Sequence, residues 1–348
     1  MTAITAYGDI SPAVAAYSVV RMLKRAMPYL QIEKFGQTYP LPTNSTQTAK
    51  FRRYFLSGTT GAAGPDAIAS SGFFIPVATT PLVEGVTPAG SLLSNQDYTV
   101  TLAQYGDFVS LTDVIQDTHT DPVLDQMTEI LGEQAAVTVE TIRFNVLKAG
   151  TNVFYANNVG GRSSVVTAIS LTDQRRVTTG LNRQNAKKIT SVVASNADFN
   201  TKSVEASYMA ICHPDLETDI RSMTGFVPVA SYGPHTSAFE GELGSVEQVR
   251  YLTSTVFAAW ADAGGAKGAM RSTTGTSADV YPVLYFGRDA FGIVPLKGNS
   301  AMTPMVVNPK PAPGDPLGQR GTVGWKLYTA TVILQDAFMA RLEVAATA

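Results

Sequence analysis

The stretch DPVLDQMTEILGEQAAVTVETIRFNVLKA, Asp121 to Ala149, reads as one long helix in a chain otherwise dominated by short strands and loops. Asp121 suits the N-cap, and Pro122 suits the first helical position, where its missing N–H costs nothing. Leu124, Met127, Leu131, Ala135, Thr138, Ile142 and Val146 recur at spacings of three and four, which predicts a buried stripe along one face. Gly150 and Asn152 supply the stop. At 1.5 Å per residue such a helix is roughly 42 Å long, more than one small core needs. Gly132 interrupts it and no heptad is sustained, so it is not a coiled coil. Periodicity alone leaves an ordinary core helix and the spine of a larger body equally open.

Composition bounds what the helix serves. The 348 residues allow one large domain or two ordinary ones. Apolar residues at 45% suffice for a substantial core, while charged residues at 16% are few for a soluble enzyme. A surface so sparse in charge favours burial against partner subunits. The net charge of −2 argues against a surface devoted to neutralising nucleic acid. The single cysteine, Cys212, excludes an internal disulfide framework and fits a reducing cytoplasm. No secretion signal is expected, because Arg21, Lys24 and Arg25 follow the mildly apolar start instead of preceding it. No run approaches the apolar length of a membrane span, about 18 residues.

Charge is segregated along the chain. Residues 1–53 carry seven Lys/Arg against two acids; residues 54–142 carry eleven acids and no base. Residues 143–188 then hold eight bases and only Asp173. The early acids and late bases of the long helix suit its dipole. That leaves Glu84, Asp97 and Asp107, which lie outside the helix. Either they form a solvated face or they meet bases of an adjacent subunit, with Arg143, Arg162, Arg175, Arg176 and Arg183 as candidate partners.

Along the chain, Ser11 and Pro12 open a helix predicted to run to about Met27, where Pro28 stops it. LKRAMPYLQIEKFGQTYPLPTNSTQTAKFRRYF (Leu23 to Phe55) then suits an arm lying over other chains. Residues 56–98 are rich in Gly, Ala, Ser, Thr and Pro, with extended segments at FFIPVATT and DYTVTLAQYGDFVSLTDVI. A loop so long fits a projecting β-hairpin better than a compact domain. NNVGGRSS is a turn, and Thr172 is placed to cap a helix through about Asn182 with Arg175, Arg176 and Arg183 exposed. YMAICHPDLETDIRSM reads as a strand followed by a helix from Pro214, and FVPVASYG, VEQVRYLTSTVFAAW and VYPVLYFGRDAFGIVPL as further strands. The five prolines of residues 303–321 suggest a linker, and GWKLYTATVILQDAFMARLEVA (Gly324 to Ala345) one long strand.

The succession YGDFVSLTDVIQDT (Tyr105 to Thr118) and LGEQAAVTVETIRFNVLKAGTNVFYA (Leu131 to Ala156), with PLVEGVTPAG (Pro81 to Gly90) before it, resembles the major capsid proteins of tailed bacteriophages. It is most similar to the family typified by the coat protein of coliphage N-four. The resemblance implies an α+β fold, the tailed-phage and herpesvirus major capsid fold. It implies an N-terminal arm (1–55), an extended loop (56–112), a peripheral domain with the spine helix (113–204) and an axial domain (205–305). A linker and a C-terminal strand returning to the spine (306–348) complete the set. It further implies self-assembly through pentamers and hexamers into an icosahedral virion shell, built in the host bacterial cytoplasm. That shell would enclose double-stranded DNA without sequence-specific binding, with portal, scaffold and decoration proteins as further partners and no membrane. Some capsids of this fold cross-link an extended-loop lysine to a neighbour's asparagine, but residues 54–142 contain no lysine.

Catalytic patterns are absent. GTTGAAG (Gly58 to Gly64) has neither dinucleotide nor phosphate-loop spacing, and GGAKGAMRS lacks the Gly-Lys-Ser/Thr order. His119, His213 and His235 have no metal-ligand spacing, so no metal and no cofactor is expected. Cys212 and His213 are neighbours on a strand end and point to opposite faces, which makes Cys212 a small core residue. Glu129 and Glu133, one turn apart, suit a solvated or interface face. The alternatives to a capsid subunit are an encapsulin-type compartment shell and, in a different class, a soluble enzyme of mixed fold.

Overall fold

A computed structural model of the chain describes residues 30–57, 81–88, 90, 92–118, 123–189, 206–232, 239, 241–296, 302–307, 309, 311 and 315–348. The predicted helix from Ser11, the glycine-rich stretch 58–64, FFIPVATT, Asp121, Pro122, His119 and His235 lie outside the described residues.

The strands, in chain order, are β1 (Gln37–Thr38), β2 (Thr48–Ser57), β3 (Leu92–Thr101), β4 (Ala103–Thr112), β5 (Val153–Tyr155), β6 (Tyr208–Cys212), β7 (Phe226–Pro228), β8 (Glu242–Val246), β9 (Val249–Thr253), β10 (Val280–Phe286), β11 (Phe291–Pro295), β12 (Met302–Val307), β13 (Arg320–Ile333) and β14 (Met339–Ala345). They form three sheets: a five-stranded sheet centred on β13, a seven-stranded mixed sheet in the order β5-β14-β10-β6-β9-β8-β7, and a two-stranded ribbon of β2 and β3.

The seven-stranded sheet is covered on both faces, as its unbroken apolar strands require. Side chains alternate: Tyr208, Ala210 and Cys212 of β6 enter one cluster with Val177 and Leu181 of the helix Leu171–Arg183 and Leu216 and Ile220 of the following segment. Met209 and Ile211 enter the opposite cluster, where the end of the spine helix (Phe144, Leu147) and the arm turn (Ile32, Phe35) close the sheet. Cys212 is buried, as its strand position predicts, and burial pushes its thiol up to about 12.

The spine helix runs from Val123 to Leu147. Its buried stripe differs from the predicted one. Leu131 and Ala135 are buried as expected, but the stripe continues through Val139, Glu140, Arg143, Phe144 and Leu147, whereas Thr138, Ile142 and Val146 are half-buried. The helix is rotated by its partners. Its first half packs Leu131, Ala135 and Val139 on Val323, Trp325 and Leu327 of β13, and its second half turns two charged side chains toward the arm.

Four other expectations change. The helix Leu171–Arg183 is capped by Ser170, which accepts a hydrogen bond from the Asp173 N–H, not by Thr172. The chain from Gly324 to Ala345 breaks at a 3-10 turn (Asp336–Phe338) into β13 and β14, which serve different sheets. Residues 303–307, expected in a linker, belong to edge strand β12, the position where Pro304 is tolerated. The segment at Asp113, expected as strand, is a short helix (Asp113–Thr118). The outgoing leg of the ribbon is β2, paired from Thr48↔Thr101 to Ser57↔Leu92.

Candidate assembly interface

Six of the eight charged residues singled out in the sequence have partners within the chain. Asp97 sits opposite Arg52 in the ribbon register and receives both Nε (2.8 Å) and Nη2 (2.9 Å) of that guanidinium, with Lys50 Nζ at 3.3 Å. The Arg52 guanidinium holds the Asp97 carboxyl well below the usual carboxylate range. Asp107 accepts from Gln134 Nε2 of the spine helix at 2.6 Å, and Gln134 in turn accepts from Trp325 Nε1 at 3.2 Å. That chain ties β4, the helix and β13 together. Arg143 donates to Glu33 of the arm at 2.9 Å.

Arg162 grips Glu343 with two bonds of 2.7 and 2.8 Å while its guanidinium lies 3.7 Å from the centre of the Trp260 ring. Arg341 joins from the other side, donating to Glu343 at 2.9 Å and to the carbonyls of Lys148 and Gly150, so it caps the C-terminus of the spine helix. Glu343 is fully buried, and two guanidiniums satisfy it. Arg175 pairs with Glu247 at the surface, and Arg176 is held by Asp173 (2.9 Å) and the Tyr155 carbonyl (3.1 Å) over Phe154. Arg176 is half-buried, not exposed.

Glu84 and Arg183 stand apart. Both are exposed, and neither has an ion-pair or hydrogen-bond partner among the described residues. Within one chain the structure brings none of the three acids to any of the five arginines. The acids that do serve these arginines are Glu33, Asp173, Glu247 and Glu343. Three of those four lie more than 70 positions away in sequence, a separation at which charge patterning carries no signal.

Sequence reasoning missed Glu140. Its carboxylate is buried and accepts the backbone N–H groups of Gln31 (3.1 Å) and Ile32 (2.9 Å), fastening the arm to the spine. Burial pushes it up to about 7, opposed by those two donors and by Arg143. A lone glutamate on the apolar side of a helical wheel is the signal that could have found it.

What this leaves open is apolar. Leu82, Val83 and Val86 of the loop, Leu92 and Leu93 of the ribbon, Phe108 of β4 and Met305 and Val307 of β12 are exposed. Large exposed apolar residues concentrated on a ribbon, its loop and one sheet face mark surfaces for other chains. They supply no catalytic group. Cys212 is enclosed, and His213 instead caps a turn, its Nδ1 accepting the Asp215 N–H at 3.2 Å.

Comparison with known proteins decides the family. The model of the phage capsid protein family matches residues 96–342, more than two thirds of the chain. The chain belongs to the phage capsid protein family. It is a structural protein of the virion head with the tailed-phage capsid fold, and not an enzyme. The major capsid protein of Pseudomonas phage KPP21 is 21% identical over 264 residues, covering 70% of this chain and 66% of that relative, just under two thirds of its length. The capsid of Ralstonia phage GP4 matches with a TM-score of 0.62 at 14% identity, over 90% of this chain and 87% of that one. The SrpI encapsulin of Synechococcus elongatus also matches, at a TM-score of 0.50 and 10% identity over 99% of this capsid protein and 92% of that chain. The fold is thus common to phage heads and to a protein compartment, and the family match distinguishes them.

Proposed function

We propose that this capsid protein is the major subunit of a tailed-phage head, self-assembling through pentamers and hexamers into an icosahedral shell around double-stranded DNA. The single observation that carries this reading is a projecting two-stranded ribbon and loop whose large apolar side chains find no cover within the chain. A folded monomer would leave that surface in water; a closed shell buries it on every subunit at once, and many moderate contacts sum to a stable particle. The order of motifs along the sequence supports a place near the coat protein of coliphage N-four. Portal, scaffold and decoration proteins are the further partners such a head would take. Charge supports interfaces of modest electrostatic content, with Glu84 and Arg183 available to other subunits.

Electron microscopy of the purified recombinant protein tests this. Closed shells, or rings of five and six subunits, are expected. A sharp monomer at high concentration with cooperative unfolding overturns it. Particles isolated from the infected host that hold a protein cargo and no DNA would place the chain with the compartment shells instead.

A further inference from the structure

We propose that residues 81–88 of one copy of this chain dock into a groove on the five-stranded sheet of a second copy, with Glu84 set against Lys326. The inference rests on the reading of the chain as a self-assembling subunit and names which surface receives the loop.

The groove follows from the alternation of β13. Val323, Trp325 and Leu327 face the spine helix, so Thr322, Gly324 and Lys326 face the other way. In register, Gly324 lies between Phe108 of β4 and Met305 of β12. Those two side chains are 66% and 43% exposed, and they wall a groove of about 580 Å³ whose floor at Gly324 carries no side chain. A Cβ at 324 would stand 2.8 Å from the Phe108 Cβ, so the close approach requires glycine. At one end is Lys326, half-buried, in register with Gly106, and without an acid partner among the described residues.

The loop has the complementary shape and charge. Residues 81–88 are all exposed. The Val86 N–H bonds the Val83 carbonyl at 3.1 Å and Gly85 has φ +76°, so Val83-Glu84-Gly85-Val86 is a preformed turn of the kind that needs glycine third. It presents an apolar knuckle of Leu82, Val83 and Val86 around one carboxylate. The five arginines suggested by sequence fit less well, four being occupied in their own chain and Arg183 lying on the helix Leu171–Arg183, outside the groove. Nor can the loop reach its own groove. Leu102 alone joins β3 to β4 without a turn, so the chain runs on and carries the loop away, up to about 50 Å between Leu92 and Phe108 at 3.3 Å per residue.

The test mixes two single-cysteine variants, Glu84→Cys and Lys326→Cys, under assembly conditions with mild oxidant; buried Cys212 stays out of the reaction. A disulfide-linked dimer that forms in the mixture and in neither variant alone is expected. In parallel, Glu84→Lys and Lys326→Glu each lower shell yield at low salt, roughly twofold to fivefold for an exposed pair, and the double exchange restores it. Should the cysteine variants not assemble, the charge exchange decides alone. Shells that form without the cross-link, with no rescue at 326 or with rescue by Arg183→Glu instead, overturn the docking and leave the shell reading standing. A photoreactive group carried on the thiol of the Lys326→Cys variant that captures a segment other than 81–88 does the same. Wild-type protein that never assembles sinks both.

Discussion

Every residue of β6 and β10 is buried, whereas every described residue from 81 to 88 is exposed, although both segments are rich in large apolar side chains. The seven-stranded sheet completes itself: two clusters cover its faces, and its one deeply buried acid, Glu343, is matched by Arg162 and Arg341. The ribbon and loop satisfy their backbone and little else, with Arg52–Asp97 closing the strands and the apolar side chains left out. One region stabilises the subunit, and the other is finished only by a second chain. Stability and assembly are thereby separable in this protein.

The largest effect comes from setting one phenylalanine of each region against the other. Phe286→Ala empties a site in the core and is expected to cost about 3–5 kcal/mol of subunit stability. Phe108→Ala, on the exposed groove wall, should stay within about 0.5 kcal/mol while lowering shell yield. Urea unfolding of disassembled subunits, beside particle counts, measures both. Equal destabilisation would break the comparison.

Next is the clasp between arm and spine, which should respond to pH. The Glu140 carboxyl, pushed up to about 7 by burial, takes up a proton in the folded subunit between the ordinary carboxylate range and pH 7, while the unfolded chain has released its own. Its contribution therefore favours folding most at the acid end and is lost as pH rises through about 7, by up to about 3 kcal/mol at 1.36 kcal/mol per unit. Glu140→Gln should flatten this part of the stability curve between pH 5 and 8; Arg143 and Glu33, which flank the carboxyl, are unchanged in the variant. An unaltered curve would remove Glu140 from the clasp.

A smaller effect is expected at the turn of the loop. Gly85→Ala places a Cβ at φ +76°, a local strain of roughly 1–2 kcal/mol. Because the turn touches no core, subunit unfolding should not change, and assembly should slow instead. The smallest effect is none at all. In the ribbon strands the sole lysine is Lys50, at the base and held by Asp97, so mature shells should dissociate to single chains in hot detergent. A ladder of covalent multimers on a denaturing gel would contradict that.

Local rules by themselves determined the elements: the cap-and-glycine bounds of the spine helix, the apolar runs of β6 and β10, the turn at Val83–Val86, and the absence of catalytic spacing. Each depends on residues a few positions apart, where propensity and periodicity act. Only the tertiary structure decided which way the spine helix faces, because Glu140 and Arg143 are turned inward by partners more than 100 positions away. It decided likewise that the strand from Gly324 divides between two sheets, and that Arg162, Arg175 and Arg176 are committed within their own chain. An ion pair is specified by distance in space, and charge segregation along a sequence carries no such distance. The apolar side chains left over once those pairs are made are what the folded chain offers to its neighbours.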